Sequence, residues 1–253
     1  MELSLKLTAI SKRPRGRTTR VEGPGTQLPS VVPKRAADAR HRIFLLSPAN
    51  VSGLRARAIL ENSANSVLGV RVRNEGAPLG EIFSFISGLY FRGKLAYARA
   101  FADPPARAPG IAVITALGGL ISPDEVFTLE RLQKISSAPI DAAEPRYRIP
   151  LLRDAQRLLD CMGSRCEIVL LGSIATPKYV EPLASVFGDG LLFPEEFVGR
   201  GDMSRGGLML RCQRAGVQLN YIPVSSATRH GSRPPRLPKL RSAASREGAL
   251  DPA

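Results

Sequence analysis

Apolar residues fall into short dense runs, each stopped by a turn of small polar residues. Ile43-Phe44-Leu45-Leu46 ends at Ser47-Pro48-Ala49-Asn50. Gly110-Ile111-Ala112-Val113-Ile114-Thr115 ends at Ala116-Leu117-Gly118-Gly119, and Cys166-Glu167-Ile168-Val169-Leu170-Leu171 ends at Gly172-Ser173-Ile174-Ala175-Thr176. Runs of this length without apolar–polar alternation predict strands buried on both faces. Leu191-Leu192-Phe193 and Leu219 to Val224 read as two further strands. Between the runs the spacing turns helical. Over Glu81 to Phe101, Ile82, Phe85, Ile86, Leu89, Tyr90, Leu95, Ala98 and Phe101 recur at helical intervals, and Gly88 and Gly93 predict two helices joined at a turn. Helices are also predicted over 151–161, over 177–187 with Pro177 in the first turn, and over 207–215. Residues 53–74 read as a helix with a connection, and 75–80 as a loop. Strands alternating with helices predict an α/β fold with a mainly parallel sheet flanked by helices, as a single compact domain over 42–228.

Composition adds the flanks. The chain has 253 residues and a formal net charge of +14. Residues 1–42 hold ten Lys/Arg against three Asp/Glu, and residues 229–253 hold six against two, which leaves +3 for everything between. Both ends are rich in Pro, Gly, Ser and Arg and poor in large apolar groups, so 1–41 and 229–253 read as disordered basic tails. Their charge suits either non-specific attraction to nucleic acid or simple solvation. No apolar run has the roughly 20 residues needed to span a bilayer, so no membrane partner is expected. The N-terminus lacks the layout of a secretory signal. Three cysteines, an odd count, fit reduced thiols in a cytoplasmic protein. Cys161 and Cys166 are too widely spaced for a redox pair, and His41 and His230 lie far from them. No metal site and no cofactor is expected.

The chemistry concentrates in turns. In an open parallel sheet, ligands bind beyond the carboxyl ends of the strands. The turns Ser47 to Ser52 (including Asn50), Thr115 to Gly119 (including Gly118) and Gly172 to Thr176 (including Ser173) should share that edge. The segment Gly199-Arg200-Gly201-Asp202-Met203-Ser204-Arg205-Gly206-Gly207 reads as a loop at the mouth of a helix. Its glycines allow close approach, and Arg200 and Arg205, with Ser204, carry donors suited to phosphate. Arg92 and Lys94 read as phosphate contacts or a solvated helix face. Tyr90 reads as a base-stacking or core-edge aromatic. Asp124 and Glu81 are the candidate acid/base carboxylates, with Asp124 equally suited to a turn and Glu81 to an ion pair. No Ser-His-Asp or Cys-His set is available.

These residues resemble a known family. Leu46-Ser47-Pro48-Ala49, then Ser87-Gly88-Leu89-Tyr90 with Arg92, Lys94 and Tyr97, then Thr115 to Asp124, are similar in order to segments of the YaaA peroxide-stress protein family. Pro139-Ile140-Asp141, Leu170-Leu171-Gly172-Ser173 with Tyr179 and Val180, and Arg200 to Arg205 continue the resemblance. It runs over residues 43–224. Archaeosine synthase has a similar plan with a cysteine in the first loop, where Pro48-Ala49 stands here. The resemblance implies a compact α/β fold with a positively charged cleft and a link to DNA or to modified nucleobases; together with the basic balance it makes nucleic acid or a nucleotide the expected partner. An enzyme acting on a nucleoside, nucleotide or modified nucleobase is the alternative function. Limited proteolysis should leave one stable fragment spanning about residues 42–228, read by mass spectrometry; two separately stable pieces would contradict a single domain.

Overall fold

The computed structural model describes residues 41–60, 66–163 and 165–237, all within one compact unit. The tail expected over residues 1–41 lies outside these residues except for His41, and so does 238–253. The first strand, β1 (His41–Leu46), has Ile43 to Leu46 fully buried. It is bracketed by β3 (Ile111–Thr115) and β6 (Cys166–Leu171), both parallel to it, with Phe44 opposite Ile111 on one side and Val169 on the other. β7 (Leu191–Pro194) continues the parallel set beside β6. Antiparallel strands close both edges: β4 (Gly119–Ile121) on β3, and β8 (Tyr221–Pro223) on β7. The order is β4-β3-β1-β6-β7-β8. The chain leaves β1 toward β3 and later returns to the other side of β1, so the winding direction reverses at this central strand. In such sheets a crevice opens at that point, beyond the carboxyl ends.

The helices are α1 (Leu54–Leu60), α2 (Val67–Asn74), α3 (Leu79–Ser87), α4 (Leu89–Phe101), α5 (Leu129–Ser136), α6 (Pro145–Met162), α7 (Pro177–Phe187) and α8 (Asp202–Ala215). The expected break in the 81–101 helix occurs at Gly88, whose φ of 60° suits glycine, while Gly93 stays inside α4. Pro78 precedes α3 in a residue pair, β2 (Ala77–Pro78), that bonds to β5 (Val126–Phe127) where the sequence reads only loops. α5 has no counterpart in the apolar spacing, because only Leu132 and Ile135 are buried in it; its start is set by Thr128, whose hydroxyl accepts from the Arg131 N–H. α6 begins at Pro145, ahead of the predicted 151, and carries Pro150 in its interior. At the C-terminal side, ordered contacts continue past 228: Leu237 packs on the core, and the Pro235 carbonyl accepts from Arg200 Nη1 at 3.4 Å.

The largest departure from the sequence reading is at α8. This helix starts at Asp202, so Ser204, Arg205, Gly206 and Gly207 form its first turns instead of a loop. The glycines serve helix packing. A Cβ on Gly93 of α4 would lie 2.6 Å from the Gly206 carbonyl oxygen, and one on Gly206 would lie 2.6 Å from the Leu89 carbonyl oxygen. Neither clash can be relieved by rotating a side chain, since both involve backbone. Gly93→Ala or Gly206→Ala should therefore cost about 1–3 kcal/mol or more. Gly190→Ala, with nothing within 4 Å of the added carbon, should change stability by less than about 0.5 kcal/mol. Urea unfolding of the three variants measures the difference.

Candidate functional site

Beyond the carboxyl ends of the parallel strands lies a cavity of about 640 Å³. Ser47, Asn50 and Ser52 line it from the turn after β1, Thr115 and Ala116 from the turn after β3, and Ser173 from the turn after β6. Phe83 and Ser87 of α3, Tyr90 of α4, Lys178 and Tyr179 of α7 and Asp202 of α8 complete its walls, with residues 135–140 along one rim. The three strand-end turns are thus brought to one place.

Each turn is held by its own short-range bonds. Asn50 Oδ1 accepts from the Ser52 N–H at 3.0 Å, which tightens the β1 turn. Thr115 Oγ1 accepts from the Gly118 N–H at 3.0 Å and donates to the Gly119 carbonyl at 3.1 Å. Gly118 itself lies outside the cleft. Its neighbour Gly119, with a φ of 69°, sits where a Cβ would strike Asp154 and the Pro150 carbonyl, so this turn is pressed on α6. Ser173 Oγ accepts from the Ala175 N–H at 3.3 Å. Gly172 is buried against Ser47, and a Cβ there would come within 3.0 Å of Ser47 Cβ.

Lys94 is the unusual group. It is fully buried, with 0% exposure. Its ammonium donates to the Ser47 carbonyl and, at 2.9 Å, to Ser47 Oγ. It also lies 4.4 Å from the centre of the Tyr90 ring and 4.9 Å from that of Phe91. Burial pulls its pKa down to about 7; Asp202 counters by favouring the cation, and Arg205 adds to the depression. The sequence reading of Lys94 as a solvated cation or phosphate contact is corrected here: it stands behind Ser47, away from solvent. Tyr90, one turn earlier on α4, is 7% exposed and lines the cleft. Its hydroxyl has no partner at hydrogen-bonding geometry. Burial dominates and pushes its pKa up to about 12, leaving a neutral phenol; the nearby Arg205 guanidinium pulls the other way both by its charge and by a loose side-chain hydrogen bond.

The other named residues lie elsewhere. Arg205 Nε and Nη2 donate to the Phe197 carbonyl at 3.2 and 3.0 Å, Nη1 reaches the Gly172 carbonyl at 3.5 Å, and the guanidinium lies 5.3 Å from the Phe197 ring centre. It clamps the chain after β7 to the chain after β6, which corrects its reading as a phosphate fork. Arg200 donates to the Glu196 carbonyl at 3.0 Å and to Ser204 Oγ at 3.3 Å, so both residues of that pair are engaged within the protein. Arg92 is exposed and outside the cleft. Asp124 pairs with Arg99 with its side chain 71% exposed, and Glu81 pairs with Arg71 at 47%. Neither carboxylate reaches the cleft. The carboxylate that does is Asp202, at the first residue of α8, and the cation that does is Lys178, at the second residue of α7. Sequence reasoning passed over both. The available signal was position: each begins a helix that follows a strand end. Among the described residues no three His, Cys, Asp or Glu side chains gather as a metal ion needs.

The depressed pKa of Lys94 gives a signed prediction. The unfolded lysine holds its proton up to about pH 10.4, while the folded one releases it near 7. The unfolded state then binds more protons between these values, so stability rises with pH. From about pH 7 to about pH 9 the gain from this group should be about 2 kcal/mol. Cys166 and Cys212, pushed by burial up to about 11 from 9.0, act in the opposite sense as their unfolded thiols ionise from about pH 8 upward, so they offset part of the rise in the upper half of that window. Lys94→Met should flatten the rise, as read by urea unfolding across the window.

The chain matches no family model, no curated protein and no solved structure, so the reading of this cleft rests on its own geometry.

Proposed function

We propose that the cleft binds a phosphate-bearing small molecule of nucleotide size. The observation that carries this reading is the first turn of α7, which opens into the cleft at Lys178 and Tyr179, close to Ser173, with no side-chain cap from Thr176. The leading N–H groups of a helix lack intrahelical partners and carry the positive end of its dipole, which favours an anion. Lys178, whose ammonium lies 5.0 Å from the centre of the Tyr179 ring, adds a positive charge at the same place. The Tyr90 hydroxyl, buried at the cleft wall with only the Arg205 guanidinium beside it and short of full hydrogen-bond geometry, retains bonding capacity for a ligand group. Asp202 offers an acceptor for a sugar hydroxyl or a base amino group. A cavity of about 640 Å³ is in the range of small-molecule sites and suits one nucleotide better than a duplex. The modest +3 of the chain between its basic ends points the same way.

Isothermal titration with nucleoside triphosphates, nucleoside monophosphates, the parent nucleosides, inorganic phosphate and a short single strand tests this. Nucleotides should bind, and removal of the phosphate should weaken binding about tenfold or more. Lys178→Ala should cause a similar loss, with a shallower dependence on salt. Equal affinity for nucleoside and nucleotide would remove the phosphate subsite, and preference for the strand over the mononucleotide would replace it with nucleic-acid binding.

A further inference from the structure

We propose that Ser47 is a nucleophile activated by Lys94, and that the cleft performs acyl transfer on an ester or amide. The placement of that acyl group on a phosphate-bearing molecule rests on the ligand reading above; the chemistry of the pair does not.

Ser47 sits where the central strand meets the cleft, at the point where the winding of the sheet reverses. Its backbone is fixed by the N–H bond to the Leu171 carbonyl at 3.2 Å, its hydroxyl reaches the same carbonyl at a longer 3.4 Å, and the residue lines the cleft. Behind it, Lys94 Nζ lies 2.9 Å from Oγ. The amine has no route to solvent and is enclosed by the rings of Tyr90 and Phe91. The charged groups acting on it are Asp202 and Arg205, both on α8, and they oppose one another. Burial therefore decides, and it holds the amine near neutrality at about pH 7. A lysine in ordinary solvent stays protonated and cannot accept a proton; this one can. The histidines offer no substitute, since His41 begins β1 at the opposite end of the strand and His230 is exposed.

The step balances within the cleft. The Ser47 hydroxyl gives its proton to neutral Lys94 as Oγ bonds to the acyl carbon, and the carbonyl π pair moves onto oxygen. The neutral Tyr90 phenol, buried at the wall of the same cleft beside the Arg205 guanidinium, is the group that would turn to donate to that oxyanion. Collapse expels the alcohol or amine, which takes the proton back from Lys94. Water then repeats the sequence on the acylated serine and restores the hydroxyl.

The test uses the full chain and two small uncharged reagents, phenylmethylsulfonyl fluoride and an alkyl fluorophosphonate, from about pH 6 to about pH 9. Attack by Oγ expels fluoride and leaves one stable adduct, which intact mass and peptide mapping should place on Ser47. The labelling rate should rise about tenfold per pH unit below about 7 and level off above it, as the amine loses its proton. Ser47→Ala should abolish the adduct, and Lys94→Met and Lys94→Arg should each slow it by about 100-fold, within the usual range for loss of a general base. No adduct on Ser47 with either reagent overturns the proposal. So does a Ser47 adduct whose rate shows no inflection near pH 7 in the unaltered chain, a measurement that needs no variant to fold. Because the reagents carry no phosphate, loss of the phosphate subsite leaves this result unchanged, and the two readings fail separately.

Discussion

Two glycines let α4 and α8 meet backbone to backbone, and the polar groups of the site are arranged by that contact. Lys94 follows Gly93 and Arg205 precedes Gly206, so each cation is fixed beside the crossing point. Tyr90 lies one turn before Gly93, and Asp202 one turn before Gly206. With side chains at the crossing, the two helices would stand farther apart and the four groups would lose their common neighbourhood. Close packing of helices usually serves stability; here it also sets electrostatic distances.

The two cations at the crossing reach different ends. Arg205 places its guanidinium on the Phe197 and Gly172 carbonyls, which are strong acceptors. Lys94 has the Ser47 carbonyl and hydroxyl but sits deeper, so desolvation pulls its pKa toward neutrality. One carboxylate, Asp202, acts on the lysine and favours its cation. A second carboxylate in this neighbourhood would hold the lysine protonated, and the pH dependence expected of it would disappear.

Much of the architecture was legible in the sequence because buried parallel strands are written as uninterrupted apolar runs. β1, β3 and β6 and the turns after them could be read directly, and those turns name one wall of the cleft. Edge strand β8 falls inside the run Leu219 to Val224 that reads as a strand, whereas β4, three residues long after a glycine turn, is too short to carry a pattern. The roles of the glycines were not legible. Gly206 permits a helix crossing, and Gly119 yields to Asp154 and the Pro150 carbonyl, and both depend on partners 31 or more residues away in the chain. Charged residues were misread for the same reason. Nothing local distinguishes Lys94, fully buried, from Arg92, exposed two residues earlier on the same helix. Asp124 and Glu81 look like isolated acids until Arg99 and Arg71 are placed beside them.

The antiparallel margins bear on how the protein behaves when crowded. The four inner strands are the apolar, pairing-competent part of the sheet, and each outer strand beyond them exposes only three residues of backbone. On one side that short ribbon ends in Pro223, which has no N–H to offer. Another copy arriving at either margin finds too little unpaired backbone to add a strand of its own. Cross-β growth would have to start from chains in which β1 and β6 have already come apart, so its onset should follow the unfolding rate and not the concentration of folded protein.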